Sequence, residues 1–156
     1  MSEPREFLIV RDVQAALRAI SVSAGAYTSV ADAAVKLDPN ASIEDLIRPD
    51  GPRPFVLIEL KPDGWEYSPA NQVRLTLPMV VHWVSESVPT DDKSRLQTYL
   101  RGCADVERAL AVDISRGGLA YDTRITERTL DLSMPGSQVW AQIAIEVRVH
   151  REFGQP

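Results

Sequence analysis

Hydrophobic and polar positions alternate most strictly near the carboxyl end of the chain, from Val139 to His150. In these twelve residues the even positions are mostly polar, and the odd positions are all apolar: Val139, Ala141, Ile143, Ile145, Val147 and Val149. A period of two is typical of a strand with one face on a core, because a helix would spread the apolar set around its circumference. At about 3.3 Å per residue, the strand would run about 40 Å, which is longer than usual. We therefore predict a long antiparallel strand that overhangs its own domain.

Two other segments carry apolar residues at the spacing of an amphipathic helix. The first helix is predicted from about Pro4 to Ile20, with acidic residues near its start. The second is predicted from about Asp91 to Ala111, with an N-cap at Thr90-Asp91-Asp92 and an exit before Gly117-Gly118. Its apolar stripe consists of Leu96, Tyr99, Leu100, Cys103, Val106 and Leu110.

Shorter patterns predict three further strands. Residues 55–60 are almost entirely apolar and bounded by prolines, which favours a strand covered on both faces. Residues 73–84 alternate until Pro78, which indicates a bulge or an unpaired edge position. Residues 119–132 are β-branched and alternating, and the turn at 134–137 leads into the last strand. Residues 61–65 are predicted to turn, and residues 65–71 to form a polar, aromatic connection.

The segment from Thr28 to Pro54 is the hardest to assign. Residues 31–37 fit either a short strand or a helical turn, and Ser42 is a suitable N-cap for a short helix over 42–47. The three prolines of residues 48–54 predict a loop. The order of elements predicts one α+β domain over residues 1–156. The predicted sheet has about four to five strands and is antiparallel, with a mixed sheet as the alternative. Two main helices pack on one face of it.

Composition narrows the function classes. The net charge is -5 and the pI is near 5.0, which argues against a nucleic-acid-binding surface, although a local basic face stays open. The single cysteine excludes an intrachain disulfide and a thiolate cluster. The start of the chain has no signal-peptide pattern, and no apolar run approaches the ~18 residues of a spanning helix. We expect a protein made in a cytosol, without membrane contact.

Candidate catalytic residues are few. His82 and His150 lack the spacing of a metal site, so we expect both to be structural or solvent-facing. Cys103 lies on the apolar stripe of the second helix and is expected to be a buried, inert thiol. Asp91 and Asp92 complement a helix dipole, and Gly117-Gly118 lacks the Lys-Ser/Thr of a phosphate loop. We therefore predict no catalytic, cofactor-binding or metal-binding residue, and no enzyme activity.

Core packing is the simpler interpretation of the aromatic residues Trp65, Tyr67, Trp83 and Trp140, and exposure on a protein–protein contact is the sharper alternative. Trp, Tyr and Arg dominate the energetics of protein interfaces, and the outward row of the last strand mixes an aromatic residue with paired charges. The predicted subunit or partner contacts are Arg48, Arg53, Trp65, Tyr67, Trp140, Gln142, Glu146 and Arg148.

Three stretches of the sequence carry a resemblance to a known family. They are residues 105–113 of the second helix, residues 117–124 after it, and residues 139–150 with Phe153-Gly154. Their pattern of helix, double-glycine exit and long carboxyl-terminal strand resembles tail terminator (tail completion) proteins of long-tailed bacteriophages.

The resemblance implies a small α+β virion protein, made in the host cytoplasm and located at the head-proximal end of the tail. It implies a homo-oligomeric ring, typically hexameric, that caps the tail tube, stops its polymerisation and presents a head-joining surface. Its partners would be copies of itself, the tail tube protein and the head connector protein, without cofactor. A neck (head–tail connector) protein and a cytosolic protein-binding adaptor are the alternatives.

Overall fold

The computed structural model describes residues 3–37, 51–61, 65–67, 72–131 and 136–152, with the side chains of 65–67, 72–74 and 150–152 outside that description. The elements are helix α1 (Arg5–Arg18), strands β1 (Val35–Leu37), β2 (Phe55–Leu60), β3 (Trp65–Tyr67) and β4 (Gln72–Glu86), helix α2 (Asp92–Ala111), and strands β5 (Asp122–Asp131) and β6 (Gln138–Glu152). Both long helices and the last strand lie close to their predicted bounds. The predicted helix at 42–47 and the loop residues 48–50 lie outside the described residues.

Five strands follow one another in the order β1-β2-β4-β6-β5, and β3 pairs with β4 beside this path. All described pairings are antiparallel except that of β1 with β2, which is parallel and makes the sheet mixed. Both helices contribute to a core on one face of this sheet. The predicted α+β class, with two main helices on one face, is therefore confirmed, and β3 is an additional short strand.

The two central strands, β4 and β6, are each 15 residues long and pair along their whole length. The last strand is thus even longer than predicted. It does not project alone, because β4 accompanies it from Glu86↔Gln138 to Gln72↔Glu152. This continuous ladder is the rigid axis of the sheet.

Pro78 lies within β4 without a bulge, opposite Glu146 of β6. Its carbonyl accepts a hydrogen bond from the Lys61 amide (2.9 Å), so Pro78 directs its backbone groups toward β2 rather than β6. On that side the ladder with β2 ends at Leu60↔Met79 and the ladder with β3 begins at Trp65↔Leu75. Proline is accommodated at residue 78 because it faces the break between β2 and β3. Residues 65–67, which were predicted to form a connection, instead form strand β3 after that break.

The amino-terminal segment contains both alternatives considered for residues 31–37. A 3-10 turn at Asp32–Ala34 is followed directly by β1. Another 3-10 turn at Val22–Ala24 ends at Gly25, whose φ of 90° suits a residue without a Cβ. These turns carry the chain from the end of α1 to the sheet edge.

Helix α2 starts at Asp91, whose carboxylate accepts from the Ser94 amide at 2.9 Å. This bond satisfies one of the free amides of the first turn, and the Ser94 hydrogen bonds lower the pKa of Asp91. The helix ends at Ala111, with Val112 still in the αR region, and the turn that follows passes through positive φ values at Arg116, Gly117 and Gly118. The predicted cap is confirmed, and Gly117-Gly118 follows the end of the helix, as predicted.

The core lies between the helices and the face of the sheet that carries the odd-numbered residues of β6. Cys103 is buried in it, as predicted, and burial raises the pKa of its thiol. Other α2 residues in the core are Tyr99, Val106 and Leu110, but Leu96 and Leu100 are 48% and 52% exposed. The predicted stripe was therefore too wide, because the sheet covers only one side of the helix.

Candidate functional site

The row of even-numbered residues on β6 lies on the face of the sheet opposite the helical core. Gln142, Glu146 and Arg148 are half-buried on this face, as the predicted outward row requires. β4 contributes His82 opposite Gln142, and β5 contributes Arg124 opposite Glu146. We call this surface the bare face of the sheet.

Trp140 begins the same row, but its side chain is only 7% exposed. It packs with Leu57, Val84 and the half-buried Phe55 in a second apolar cluster, separate from the main core. Trp140 therefore packs inside the protein at one end of the bare face. This corrects the prediction that it belongs to an exposed row of contact residues. The same cluster explains why β2 is covered on both faces, as predicted.

A chain of polar contacts runs through this cluster. The Trp140 indole nitrogen donates to Nδ1 of His82 (3.2 Å), and Nε2 of His82 lies 2.7 Å from a Glu59 carboxylate oxygen. Because indole only donates, Nδ1 is the acceptor and Nε2 carries the proton that is given to Glu59. His82 is thus a buried structural residue, as predicted.

Glu59 also accepts from Lys61 at 2.7 Å. Burial alone would raise the pKa of Glu59, but the hydrogen bonds from Lys61 and His82 outweigh it and lower that pKa. The carboxylate therefore stays ionised beside the aromatic cluster.

Ion pairs occupy the other end of the bare face. Glu146 pairs with Arg124 across β5 and β6 at 3.2 Å and with Arg148 along β6 at 3.7 Å. All three side chains are between 30% and 47% exposed, so water screens these pairs and they contribute little to stability. They leave a charged surface that is accessible to a partner.

The remaining predicted contacts are not brought together with this row. Trp65 and Tyr67 belong to β3, paired with Leu75 and Val73, so β4 separates them from β6. Arg53 is half-buried and donates to the Pro52 carbonyl. Arg48 and the side chain of His150 lie outside the described residues.

The helix layer is held together by two buried charges that the sequence patterns did not reveal. Asp105 of α2, 1% exposed, accepts from the backbone amides of Tyr27 (2.9 Å) and Thr28 (3.0 Å). Arg116, also 1% exposed, pairs with Asp12 of α1 at 3.1 Å and donates to the carbonyls of Leu110 and Asp113. A cavity of about 310 Å³ lies between these two buried charges, and its lining combines small apolar residues with charged ones.

Sequence reasoning also missed an exposed apolar ridge on α2. Leu96 and Leu100, one turn apart, adjoin Tyr27, which is 57% exposed. Lys93 and Arg101 border them, and the Arg101 guanidinium lies 5.5 Å from the centre of the Tyr27 ring. We call Tyr27, Leu96 and Leu100 the leucine ridge. The signal available in the sequence was the width of the apolar stripe, which exceeds what one sheet face can cover.

An apolar groove of about 570 Å³ lies at the start of α1. Val10 is buried in it, Phe7 is 43% exposed at its lip, and Glu6 and Lys61 are its charged members. We call it the amino-terminal groove; its other lining residues are Pro4, Leu37, Leu60, Thr76, Leu77 and Pro78.

Within the described residues, no group of three or more His, Cys, Asp or Glu side chains is placed to hold a metal ion. Among the described helices, none combines the length and the hydropathy needed to cross a membrane.

The chain has distant structural similarity to known proteins. No protein-family model matches the chain. No curated protein sequence matches it. Among solved structures, a chain described as "Virion of native gene transfer agent (GTA) particle" is similar at 15% sequence identity and a TM-score of 0.44, over 89% of this chain and 92% of that chain. At these values the likeness assigns neither a family nor a function.

Proposed function

We propose that this chain is a structural virion protein, specifically a tail terminator. Copies of it form a ring, hexameric in the family it resembles, that caps the phage tail tube and stops its polymerisation. The outer surface of the ring joins the head connector. The protein is made in the host cytoplasm, acts at the head-proximal end of the tail, and works by binding, without catalysis, cofactor, nucleic acid or membrane.

The observation that carries this proposal is the packing of the stretches that resemble tail terminators. Residues 105–113 belong to α2 and the turn that follows it, 117–124 lead into β5, and 139–150 lie in β6. β5 pairs with β6, and α2 packs on both strands. Stretches that are separate in the sequence therefore form one continuous unit around the rigid β4–β6 ladder.

A ring also needs two different surfaces on each subunit, because a head-to-tail contact joins unlike patches. The chain has several unlike surfaces on one rigid sheet: the charged bare face on one side, and the leucine ridge and amino-terminal groove on the helical side. The bare face, with Gln142, Glu146 and Arg148, is our candidate for contact with the tube or the connector.

The test combines solution mass with tube assembly. Light scattering over a range of protein concentrations should detect a closed species of about six copies. When added to polymerising tail tube protein, the chain should shorten the tubes and appear at one end in electron micrographs. Tubes that elongate unchanged and bind no chain would overturn the proposal.

The same experiment separates the alternatives. Binding to the head connector but not to the tube would favour the neck-connector function, and a monomer that binds neither would favour the adaptor function. Gln142→Ala and Arg148→Ala on the bare face should weaken tube or connector binding, and Val88→Ala, at an 85% exposed site, is the control.

A further inference from the structure

His82 holds two neighbours through its two ring nitrogens. Nε2 lies 2.7 Å from a carboxylate oxygen of Glu59, and Nδ1 accepts from the Trp140 indole nitrogen at 3.2 Å. The imidazole is 8% exposed and Trp140 is 7% exposed, so the protein shields the contact between the two rings from water. A neutral imidazole donates from one nitrogen and accepts at the other, whereas an imidazolium donates from both. The bond to Trp140 therefore exists only while His82 is neutral.

A proton on Nδ1 replaces the bond to Trp140 with a repulsive contact. The proton comes from solvent and forms an N–H bond with the Nδ1 lone pair, which is the lone pair that accepts from the indole. Indole nitrogen is a donor and not an acceptor, so two N–H groups would then face each other across 3.2 Å. One of the two rings must move when His82 becomes charged.

Glu59 decides which ring moves. Nε2 keeps its proton in both forms of His82, and charging the ring turns its bond to Glu59 into an ion pair. Lys61 donates to the other carboxylate oxygen at 2.7 Å, so it does not compete for the oxygen that His82 uses. Its ammonium repels an imidazolium, but Lys61 is half exposed and water screens that repulsion. The imidazole therefore stays anchored on β2, and the indole is the ring that moves.

The anchor persists over the range in which histidine changes its charge, which is about pH 5 to pH 8. Burial opposes the ionisation of Glu59, but the hydrogen bonds from Lys61 and His82 hold the pKa of Glu59 below its ordinary value. The Glu59 carboxylate is therefore ionised throughout this range and keeps its bond to Nε2.

Trp140 lies where its release leaves the main core intact. It belongs to the small second apolar cluster at one end of the bare face, which the half-buried Phe55 borders, and not to the core between the sheet and the helices. Other polar groups near the two rings, by strand register, are Gln142 opposite His82, Asp131 on the β5 side of Trp140, and Glu86 at the end of β4.

We propose that His82 is a proton-sensitive latch on Trp140. The neutral imidazole holds the indole in the second apolar cluster, and protonation of Nδ1 releases the indole to the surface of the bare face. The protonated chain then presents an aromatic side chain near Gln142, on the face that is our candidate for contact with the tube or the connector. An effect of the latch on that contact rests on the proposed function, whereas the release of Trp140 does not.

The experiment measures how much of the tryptophan fluorescence acrylamide quenches in the Trp65→Phe chain, which keeps two of the three tryptophans. Trp83 is 1% exposed and should stay protected at every pH. As the pH falls from about 8 to about 5, about half of the fluorescence should become accessible to quenching. NMR of the imidazole nitrogens should show that Nδ1 gains its proton over the same pH interval. Circular dichroism and light scattering at each pH separate release of the indole from unfolding or a change in assembly.

The two histidines of the chain provide a matched pair of variants. His82→Gln replaces the latch by a polar side chain that does not titrate, so quenching should not depend on pH. His150→Gln should keep the full transition. Trp140→Phe in the same background leaves Trp83 alone and should abolish the transition, which identifies the indole that moves even where His82→Gln fails to fold.

A quenched fraction that stays constant while Nδ1 gains its proton would overturn the latch. So would a His82 that remains neutral wherever the chain is folded, or a transition that persists in His82→Gln or in Trp140→Phe. Tube binding, measured at both ends of the pH range, tests the link to function separately. If the transition occurs and tube binding is the same at both ends, the latch stands without a role in that contact. If the transition occurs and no tube is bound at either end, the latch stands and the proposed function is contradicted.

Discussion

Gly102 lies against the indole of Trp83, so closely that a Cβ on residue 102 would be 2.6 Å from the indole nitrogen. Trp83 lies in β4 and is 1% exposed, so the ring is enclosed by the core and cannot move away. The absence of a side chain at residue 102 is what lets α2 approach the sheet. Glycine in a helix interior costs about 1 kcal/mol relative to alanine, which the close packing here offsets.

Gly102→Ala should therefore destabilise the protein, although alanine is the better helix former. We expect a loss of about 1–3 kcal/mol in the free energy of unfolding, since the added methyl group overpacks the core. Urea denaturation of the single variants and the double variant with Trp83→Phe measures the coupling between the two positions. A smaller ring at residue 83 should reduce the penalty, and a more stable Gly102→Ala variant would contradict the close packing.

Arg116→Met should destabilise the protein by about 3 kcal/mol, because it removes the partner of Asp12 and the donor to two helix-end carbonyls. The matched control is Arg11→Met in α1, since Arg11 pairs with Glu3 at a site where both side chains are at least half exposed. That change should cost no more than about 1 kcal/mol. Equal effects of the two substitutions in denaturation curves would show that burial of Arg116 is energetically unimportant.

Asp105→Asn should loosen the segment around Tyr27 and Thr28. An amide has one oxygen acceptor where the carboxylate has two, so one part-buried backbone amide loses its partner, at about 1–3 kcal/mol. Glu107→Gln, two residues along the same helix in an exposed pair with Arg128, is the control. Hydrogen exchange of the Tyr27 and Thr28 amides should accelerate only in the Asp105 variant, and unchanged protection there would count against the assigned bonds.

Acid should weaken the contacts of Glu59. The pKa of Glu59 is lower in the folded chain than in the unfolded chain. Its ionised form therefore contributes fully to the free energy of unfolding above the ordinary carboxyl pKa of about 4.3, and this contribution is lost as the pH falls through the lowered pKa. Unfolding midpoints measured from pH 7 to pH 3 should fall less steeply below pH ~4.3 for Glu59→Gln than for the parent. Parallel pH profiles for the two proteins would refute this linkage.

Cys103 should react slowly with thiol reagents in the folded protein. Burial raises its pKa and blocks access, so we expect labelling at least about 100-fold slower than in the denatured chain. Reaction with a chromogenic disulfide, followed in buffer and in urea, measures both rates on the one cysteine. Complete labelling within the mixing time in buffer would place the thiol at the surface.

The sequence alone determined the elements whose signal is local. Alternation along β6 predicted a long strand and its two faces, and Asp91 predicted the start of α2, because periodicity and capping depend on neighbouring residues. The α+β class followed from the order of such elements. Pro78 was a local signal too, but whether β4 can accommodate a proline there depends on its neighbouring strands. The ladders of β4 with β2 and with β3 leave a break opposite Pro78, and those strands come from other segments of the sequence.

Only the tertiary structure decided which residues of each face are covered. Trp140 shares the outward row of β6 with Gln142 and is buried, because β2 and β4 bring Leu57 and Val84 beside it. Leu100 shares the apolar stripe of α2 with Cys103 and is exposed, because the sheet does not extend beneath it. Periodicity predicts the side of a helix or strand on which a residue lies. Whether that residue is buried depends on partners that are distant in sequence, and this burial defines the candidate assembly surfaces.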